Sequence, residues 1–323
     1  MSDVMDRHER SHYVEQAKKD CLDRLGTEIV LARMLHSGRQ NTIVHVRDTG
    51  GVDSCVRYRT AKEFWYEDTV KEPFIESLGI VDIPRVRCAA DDVRPQLLIC
   101  EFVAGDLLHD LAVDEGLARR VGRVMAAVHV PAHGAATYAD FAAGMASERS
   151  WRAEFTGSLR DTALRCGYPA AGIDALIAVS DSAIAAAEAR GLVLVHNDLH
   201  FKNIIRRPNG TLCLLDWDSA AIAPAEKDFV KLLDWSHHNG EAVEHIIDAY
   251  QESAGRPLDC NLIELFRIYA ILRQILFQSL SVAGGVQTSV LSQGGFFPET
   301  AVQRAKLEDP LRRLGLRPWA VAQ

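Results

Sequence analysis

The sequence predicts an α+β protein with two lobes, a small strand-rich lobe followed by a larger helical one. Two observations support this class. Short β-branched runs alternate with small polar turns in roughly the first hundred residues. Later in the chain, apolar residues recur at helical spacing over long stretches, as in residues 117–128. We therefore divide the chain at about residue 103, into lobes of residues 1–103 and 104–323.

Composition restricts the class of protein. The chain has 323 residues, of which 48% are hydrophobic and 25% are charged, as in globular proteins large enough to bury a sizeable core. The formal net charge of -8 argues against a nucleic-acid-binding protein, because phosphate affinity requires a basic surface. A negative surface suits a cationic small substrate, although a charge of this size also serves solubility alone.

Cysteine usage and hydropathy bear on location. The seven cysteines are dispersed and form no Cys-x-x-Cys pair, which indicates reduced thiols and a cytoplasmic protein. Residues 1–20 are rich in charge and lack the apolar core of a signal peptide. The most apolar helix candidate carries Arg267 and Arg273, and no apolar run reaches about 18 residues, so we expect no membrane association.

The N-terminal lobe is predicted to contain a helix over residues 1–36 and strands over residues 42–46 and 54–58. A small polar turn precedes the first of these strands. A strand, a Gly-containing loop and a second strand can cover nucleotide phosphates with backbone N–H groups. We therefore name Ser37, Gly38 and Asn41 as candidate nucleotide-binding residues, with a plain turn as the alternative.

The remaining elements follow from the same patterns. A helix is predicted over residues 66–78 and an apolar strand over residues 97–101. Helical patterns then predict helices over residues 117–128, 148–164, 173–190, 224–233, 246–254 and 262–283. The Gly- and Ser-rich residues 284–298 are predicted to form a loop.

One stretch in the second lobe carries a chemical pattern. An apolar strand over residues 192–195 leads into a polar loop, and Pro208-Asn209-Gly210 then predicts the turn of a β-hairpin. The hairpin folds Asp216 back beside Asn203, so that both converge with Asp198. An amide and a carboxylate are hard oxygen ligands that suit Mg²⁺, and a second carboxylate can accept a hydroxyl proton. The pattern therefore indicates phosphoryl transfer.

This stretch also resembles a known family. His196-x-Asp198-x-x-x-x-Asn203, followed by Leu214-Leu215-Asp216-Trp217, is similar to the catalytic and metal loops of the aminoglycoside phosphotransferase and choline kinase family. These small-molecule kinases have a protein-kinase-like fold. The resemblance implies that Asp198 is the catalytic residue, that Asn203 and Asp216 bind Mg²⁺ on ATP or GTP, and that His196 braces the loop. A chance spacing around a structural histidine is the alternative.

Nucleotide contacts in the small lobe follow from the same resemblance, with one departure. The family has a Lys on the strand where this chain has Arg57, although the hygromycin phosphotransferase branch also has an Arg there. Arg57 is permanently charged and can bind phosphate, with Glu72 on the next helix as its expected partner. Alternatively, Arg57 or Arg59 faces solvent. The backbone from Glu101 through Phe102 to Val103 resembles the hinge that binds adenine, or is a plain strand end.

Three further residues complete the predicted site. Asp228 matches a family Asp that supports the catalytic loop from below, although it can also cap its own helix. Lys202 lies inside the loop and either approaches the terminal phosphate or faces solvent. Asp218 either contributes to the rim of the acceptor site or caps a turn.

The resemblance implies an acceptor that is a small molecule with a hydroxyl group. It favours an aminoglycoside or related antibiotic, whose ammonium groups carboxylates would bind. A nucleoside, a choline-like alcohol or a sugar stays open, as does a kinase fold that binds ligand without turnover. The partners expected are thus small molecules, without nucleic acid or membrane, and the protein is expected to be a monomer or a homodimer.

Overall fold

The computed structural model describes residues 7–37, 41–59, 67–90, 92–93, 95–129, 151–235, 240–283, 300–317 and 319. Its N-terminal part contains an antiparallel five-stranded sheet in the order β1-β2-β3-β5-β4. The strands are β1 (Ile29–Ser37), β2 (Asn41–Asp48), β3 (Asp53–Arg59), β4 (Val86–Ala90) and β5 (Gln96–Glu101). The predicted strands over residues 42–46, 54–58 and 97–101 are therefore present.

The prediction of a helix over residues 1–36 is wrong in its last third. Helix α1 (Arg7–Leu25) ends at Gly26, whose φ of 65° is a left-handed conformation that glycine adopts without strain. Residues 29–37 instead form the edge strand β1, which pairs with β2. The apolar residues here match helical spacing, but Leu31 and Leu35 alternate outward from the sheet and are exposed. A short apolar run cannot by itself distinguish the two structures.

The sheet and α1 enclose the small core of this lobe. Ala17 and Cys21 of α1 pack against the buried side chains of β2, β3 and β5, among them Val44, Val56 and Ile99. Those three lie in one cross-strand row, because Val56 pairs with Val44 on one side and with Ile99 on the other. Helix α2 (Glu67–Leu78) packs on β4 and β5, close to the span predicted for it.

The second lobe is mainly helical, which confirms the α+β class. Its helices are α3 (Glu115–Val128), α4 (Trp151–Arg165), α5 (Ala170–Arg190), α6 (Phe229–Trp235), α7 (Gly240–Ala254), α8 (Cys260–Ala283), α9 (Thr300–Lys306) and α10 (Glu308–Arg313). The predicted helices match α3 to α8 within a few residues, except that residues 225–228 form a 3₁₀ turn before α6. The loop predicted over residues 284–298 lies outside the described residues.

Two buried clusters hold this lobe together. One joins α3, α6 and α7 to the short strands around the loops, and the other joins α4, α5, α8 and α10. Helix α5 is long and apolar enough to cross a membrane by length and composition. Its Ile173, Leu176 and Ile184 are fully buried in the second cluster, and 33% of its apolar window is buried inside the protein.

Short strands present the polar loops of the second lobe. Strand β7 (Val193–Val195) pairs with β10 (Ala221–Ala223), while β6 (Asp106–Leu107) pairs with β8 (Ile204–Arg206), which pairs with β9 (Leu212–Leu214). The β8–β9 pair is the predicted hairpin. An isolated bridge between Asp82 and Cys213 ties this hairpin to the segment before β4.

Two glycines fix close backbone approaches. At Gly105, just after β5, φ is 145° and an added Cβ would lie 2.2 Å from the Arg206 carbonyl oxygen. At Gly122 in α3, an added Cβ would lie 2.3 Å from the Ile246 carbonyl oxygen in α7. Glycine is therefore required where the hinge passes the hairpin and where α3 crosses α7.

Candidate active site

Buried hydrogen bonds hold the loop after β7 from below. The Asp228 carboxylate accepts hydrogen bonds from the backbone N–H groups of His196, at 2.8 Å, and Asn197, at 2.5 Å. It also lies 2.9 Å from Nε2 of His129. Burial alone would raise the pKa of Asp228, but the hydrogen bond with His129 and the nearby imidazoles lower it. The contacts of Asp228 are those of a loop support, the role that the resemblance implied.

His196 links this loop to the segment that precedes Asp216. Its Nε2 lies 2.7 Å from the Leu215 carbonyl oxygen, and its ring lies 4.5 Å from that of Trp217. The side chain is fully buried, and burial lowers the pKa of His196, which keeps the ring neutral. These contacts are those of a brace rather than of a proton carrier.

Asp198 follows at the mouth of the loop, where its side chain is partly exposed. Its Oδ1 forms an ion pair with Nζ of Lys231, from α6, and lies 3.7 Å from Nε2 of His200. Burial lowers the pKa of His200 to about 4, so this ring is neutral. Neither Lys231 nor His200 was among the predicted site residues, because neither has a distinctive motif. The one available signal was that Lys231 follows Asp228 by about one helical turn.

Asn203 and Asp216 lie side by side, as the predicted hairpin requires. The Leu215 N–H donates to the Asn203 carbonyl at 2.8 Å, which places the next residue, Asp216, beside Asn203. The Asn203 side-chain amide donates to the Asp198 carbonyl at 2.9 Å, which leaves the amide oxygen as a ligand. Asp216 has a left-handed conformation, with φ 61° and ψ 66°, that turns the chain sharply after β9.

The donor set at this position fits Mg²⁺. Protein atoms around the Asp216 carboxylate and the charge of the neighbouring Asp218 raise the pKa of Asp216. The residue as a whole is nevertheless exposed at the protein surface. A cation there would stabilise the ionised form. Within the described part of the chain, no group of three or more His, Cys, Asp or Glu could hold a metal ion. One carboxylate and one amide, completed by water and phosphate oxygens, is a set that suits Mg²⁺.

Arg57 is buried on β3 and pairs with Glu72 of α2. The guanidinium lies 2.6 Å from Glu72 Oε1 and 3.4 Å from Asp218 Oδ1. Burial raises the pKa of Glu72, and the charge of Arg57 opposes this. The structure thus supplies the pairing that the sequence spacing predicted, and the alternative in which Arg57 faces solvent is wrong. Its contact with nucleotide stays a prediction.

Asp218 contacts the small lobe, and its predicted place at the rim of the acceptor site stays a prediction. Its carboxylate turns towards the small lobe, 2.6 Å from Arg59, and its carbonyl accepts a hydrogen bond from Lys71 of α2 at 2.9 Å. The Asn41 amide, at the start of β2, donates to the same carboxylate at 3.3 Å. A 3₁₀ turn over Trp217–Ser219 rotates the side chain to this position. Asp218, Arg59 and Lys71 therefore join the two lobes behind the predicted metal site.

The predicted hinge is connected to the hairpin by Arg207. This guanidinium contacts both Glu101 and Asp82, each at 2.5 Å. The hydrogen bond from Arg207 lowers the pKa of Glu101. The Glu101 N–H donates to Arg85 and the Phe102 N–H to Asp53. Within the backbone segment predicted to bind adenine, the N–H groups of Glu101 and Phe102 are thus already hydrogen-bonded within the protein.

The other predicted nucleotide and loop residues are placed as follows. Ser37 ends β1 and pairs with Thr42, so the candidate loop lies between β1 and β2, and Gly38 falls outside the described residues. Val103 is buried just after β5. Lys202 lies in the 3₁₀ turn Phe201–Asn203, with its backbone N–H against the His200 ring.

The sequence is similar to that of a known protein family. A sequence profile of the phosphotransferase enzyme family matches residues 35–259. Among curated proteins, no sequence match was found.

Solved structures are also similar. The macrolide 2'-phosphotransferase MphH from Brachybacterium faecium has a TM-score of 0.61 at 20% identity, covering 86% of this chain and 96% of its own. The choline kinase LicA from Streptococcus pneumoniae has a TM-score of 0.61 at 15% identity, covering 94% and 99%. An ethanolamine kinase from Plasmodium vivax has a TM-score of 0.60 at 13% identity, covering 94% and 92%. At these identities the similarity shows the fold, and it confirms the predicted kinase-like class.

Proposed function

The chain belongs to the phosphotransferase enzyme family and is a small-molecule phosphotransferase, and we propose that it transfers the terminal phosphate of ATP or GTP to a hydroxyl group. The observation that carries this proposal is the convergence of three groups on one cleft. Asp228 fixes the loop that bears Asp198. The hydrogen bond from the Leu215 N–H to the Asn203 carbonyl places Asp216 beside Asn203. A candidate base and two candidate metal ligands therefore adjoin each other.

In the proposed reaction, Asp198 accepts the hydroxyl proton as the acceptor oxygen attacks the terminal phosphorus. The bond from that phosphorus to the bridging oxygen breaks, and its electron pair leaves with the nucleoside diphosphate. The main contribution of the protein is positioning and charge stabilisation. When bound, Mg²⁺ would neutralise phosphate charge from Asn203 and Asp216. Arg57, held by Glu72, would contact the phosphates from the small lobe.

Similar proteins support the use of a nucleotide. One structure of LicA contains AMP, at 14% identity to this chain. Another similar structure contains GDP together with kanamycin, also at 14% identity. We accordingly propose ATP or GTP as phosphate donor. Nucleoside triphosphates are abundant in the cytoplasm, which is where we place the reaction.

For the acceptor, we propose an aminoglycoside or related antibiotic. Similarity to a macrolide phosphotransferase and to a kanamycin-binding structure supports this class. A choline-like amino alcohol is the second candidate, because choline and ethanolamine kinases match 94% of this chain. The Asp218 carboxylate is paired with Arg59, so an acceptor ammonium would compete with that guanidinium for it.

A screen of acceptors tests this proposal. Purified protein would be incubated with Mg²⁺ and ATP or GTP, together with single aminoglycosides, macrolides, choline or ethanolamine. Release of nucleoside diphosphate and mass spectrometry of the acceptor would be measured together. We expect stoichiometric phosphorylation of one acceptor class. Nucleotide binding without any phosphorylated acceptor across a broad panel of hydroxyl compounds would contradict the proposal.

A further inference from the structure

Lys231 occupies an unusual place beside the candidate catalytic carboxylate. It lies on α6 and its ammonium contacts Oδ1 of Asp198, a residue more than thirty positions earlier in the chain. Asp228, just before α6, also holds the backbone of the loop, so that Lys231 and Asp198 are positioned by the same pair of segments. The side chains of Lys231 and Asp198 are 34% and 21% exposed, so both are reachable from the cleft.

Among the described residues, the Asp198 carboxylate has two basic neighbours, Lys231 and His200. His200 is 3.7 Å away, but its lowered pKa leaves the ring neutral. Arg57 and Arg59 lie on β3 of the small lobe, where they pair with Glu72 and Asp218, and neither forms an ion pair with Asp198 among the described contacts. Asp198 and Asp216 both add negative charge to the cleft where a triphosphate would bind. A cation that moves onto the transferring phosphate would offset the charge that accumulates there.

We propose that Lys231 is a further catalytic residue that binds the terminal phosphate of the nucleotide. Before the nucleotide binds, the ammonium rests on Asp198 and holds its carboxylate in place. When the triphosphate binds, Lys231 turns to the terminal phosphate and frees Asp198 to accept the hydroxyl proton. Lys231 keeps its own protons throughout. This inference rests on the proposed function, since it presupposes that a nucleoside triphosphate occupies the cleft.

Comparison of ATP binding with ADP binding isolates the contribution of the terminal phosphate to affinity. Dissociation constants for both nucleotides with Mg²⁺ would be measured by calorimetry on wild type, Lys231→Met, Lys231→Arg and Lys18→Met. Lys18→Met is the matched control, because Lys18 is a similarly exposed lysine that also pairs with a carboxylate, that of Glu15, but lies on α1 outside the predicted site. We expect Lys231→Met to weaken ATP binding about tenfold, the loss typical of a charge-assisted contact, with ADP binding nearly unchanged. Lys231→Arg should retain most of the ATP preference.

A double variant tests whether Lys231 raises ATP affinity only by shielding the negative charge of Asp198. If Lys231 only shields the charge of Asp198, then adding Asp198→Asn to Lys231→Met should restore ATP affinity, and that result would overturn the phosphate contact. Equal losses for ATP and ADP, or an equal loss in Lys18→Met, would also overturn it. Melting temperatures verify folding, and Lys231→Gln, which also removes the charge, provides the test if Lys231→Met is unstable. Failure of the wild type to bind either nucleotide would instead overturn the proposed function.

Discussion

Removal of the Arg57 guanidinium should destabilise the protein in a pH-dependent way. Arg57 and Glu72 are buried, with side chains 10% and 5% exposed, and their charged atoms are 2.6 Å apart. Removal of one partner from a buried ion pair typically costs about 3–5 kcal/mol, because the remaining charge is left uncompensated. Arg57→Met keeps the aliphatic bulk and removes only the charged group. We expect a loss of about 3 kcal/mol or more near neutral pH on this basis.

The sign of the pH dependence follows from Glu72. Its pKa is raised by burial, and the loss of Arg57 removes the main influence that lowers it. A carboxyl whose folded-state pKa lies above the unfolded value contributes stability at low pH, and this contribution is lost as pH rises through the folded-state pKa. The destabilisation by Arg57→Met should therefore be smaller at acidic pH, where Glu72 is protonated, than at neutral or alkaline pH.

Urea unfolding at about pH 5 and about pH 8 measures both effects. Arg312→Met is the control, because Arg312 forms an ion pair with Glu308 at 2.7 Å while both side chains are largely exposed. Such surface pairs contribute roughly 0–1 kcal/mol. The reasoning is refuted if Arg57→Met costs no more than Arg312→Met, or if its cost is the same at both pH values.

Two further predictions concern packing and the metal. Gly122→Ala should destabilise by about 1–3 kcal/mol, because its Cβ would meet the backbone of α7. By contrast, a Cβ added at Gly157 in α4 would meet no described atom within 4 Å beyond the backbone of its own helix, so Gly157→Ala should stabilise the protein by about 0.5–1 kcal/mol. Thermal unfolding of both variants separates these outcomes. Asp216→Asn should remove Mg²⁺-dependent nucleotide binding. In the wild type, Mg²⁺ affinity should fall below about pH 7, because the raised pKa of Asp216 lets protons compete with the metal. Calorimetric titration at several pH values checks this, and identical Mg²⁺ dependence in wild type and Asp216→Asn would remove Asp216 from the metal site.

The loop around Asp198 was predictable because its determinants are local in sequence. A buried strand, a fixed spacing and a strong turn signal at Asn209-Gly210 specify which residues meet, and the hairpin does bring Asp216 beside Asn203. Residues 29–37 were predicted wrongly because a short apolar run fits both helix and edge strand. The pairing with β2 that decides between them is a contact between separate segments.

Contacts between distant segments also explain the site residues that the sequence did not reveal. Lys231 meets Asp198 only because Asp228 positions α6 beneath the loop. Asp218 follows Asp216 closely in sequence, yet one 3₁₀ turn points its carboxylate to Arg59 on the other lobe. Local sequence gives no sign of that direction, since it is set by the charges that meet the side chain after folding.

The turnover of Asp198→Asn tests the central claim most directly. The substitution keeps size and hydrogen-bonding capacity but removes the charge that accepts the hydroxyl proton. General-base contributions are roughly 10² to 10⁴ in rate, so we expect kcat to fall at least about a hundredfold. That decrease corresponds to about 3 kcal/mol of barrier. Binding of nucleotide and acceptor should change little.

Asp174→Asn on α5, a carboxylate that is 53% exposed in its pair with Arg160, serves as the control and should leave kcat unchanged. kcat and melting temperature would be measured together on the acceptor that the screen identifies. A large loss of kcat at an unchanged melting temperature is the predicted result. A well-folded Asp198→Asn protein with wild-type turnover would contradict the assignment of Asp198 as the base, and with it the proposed mechanism.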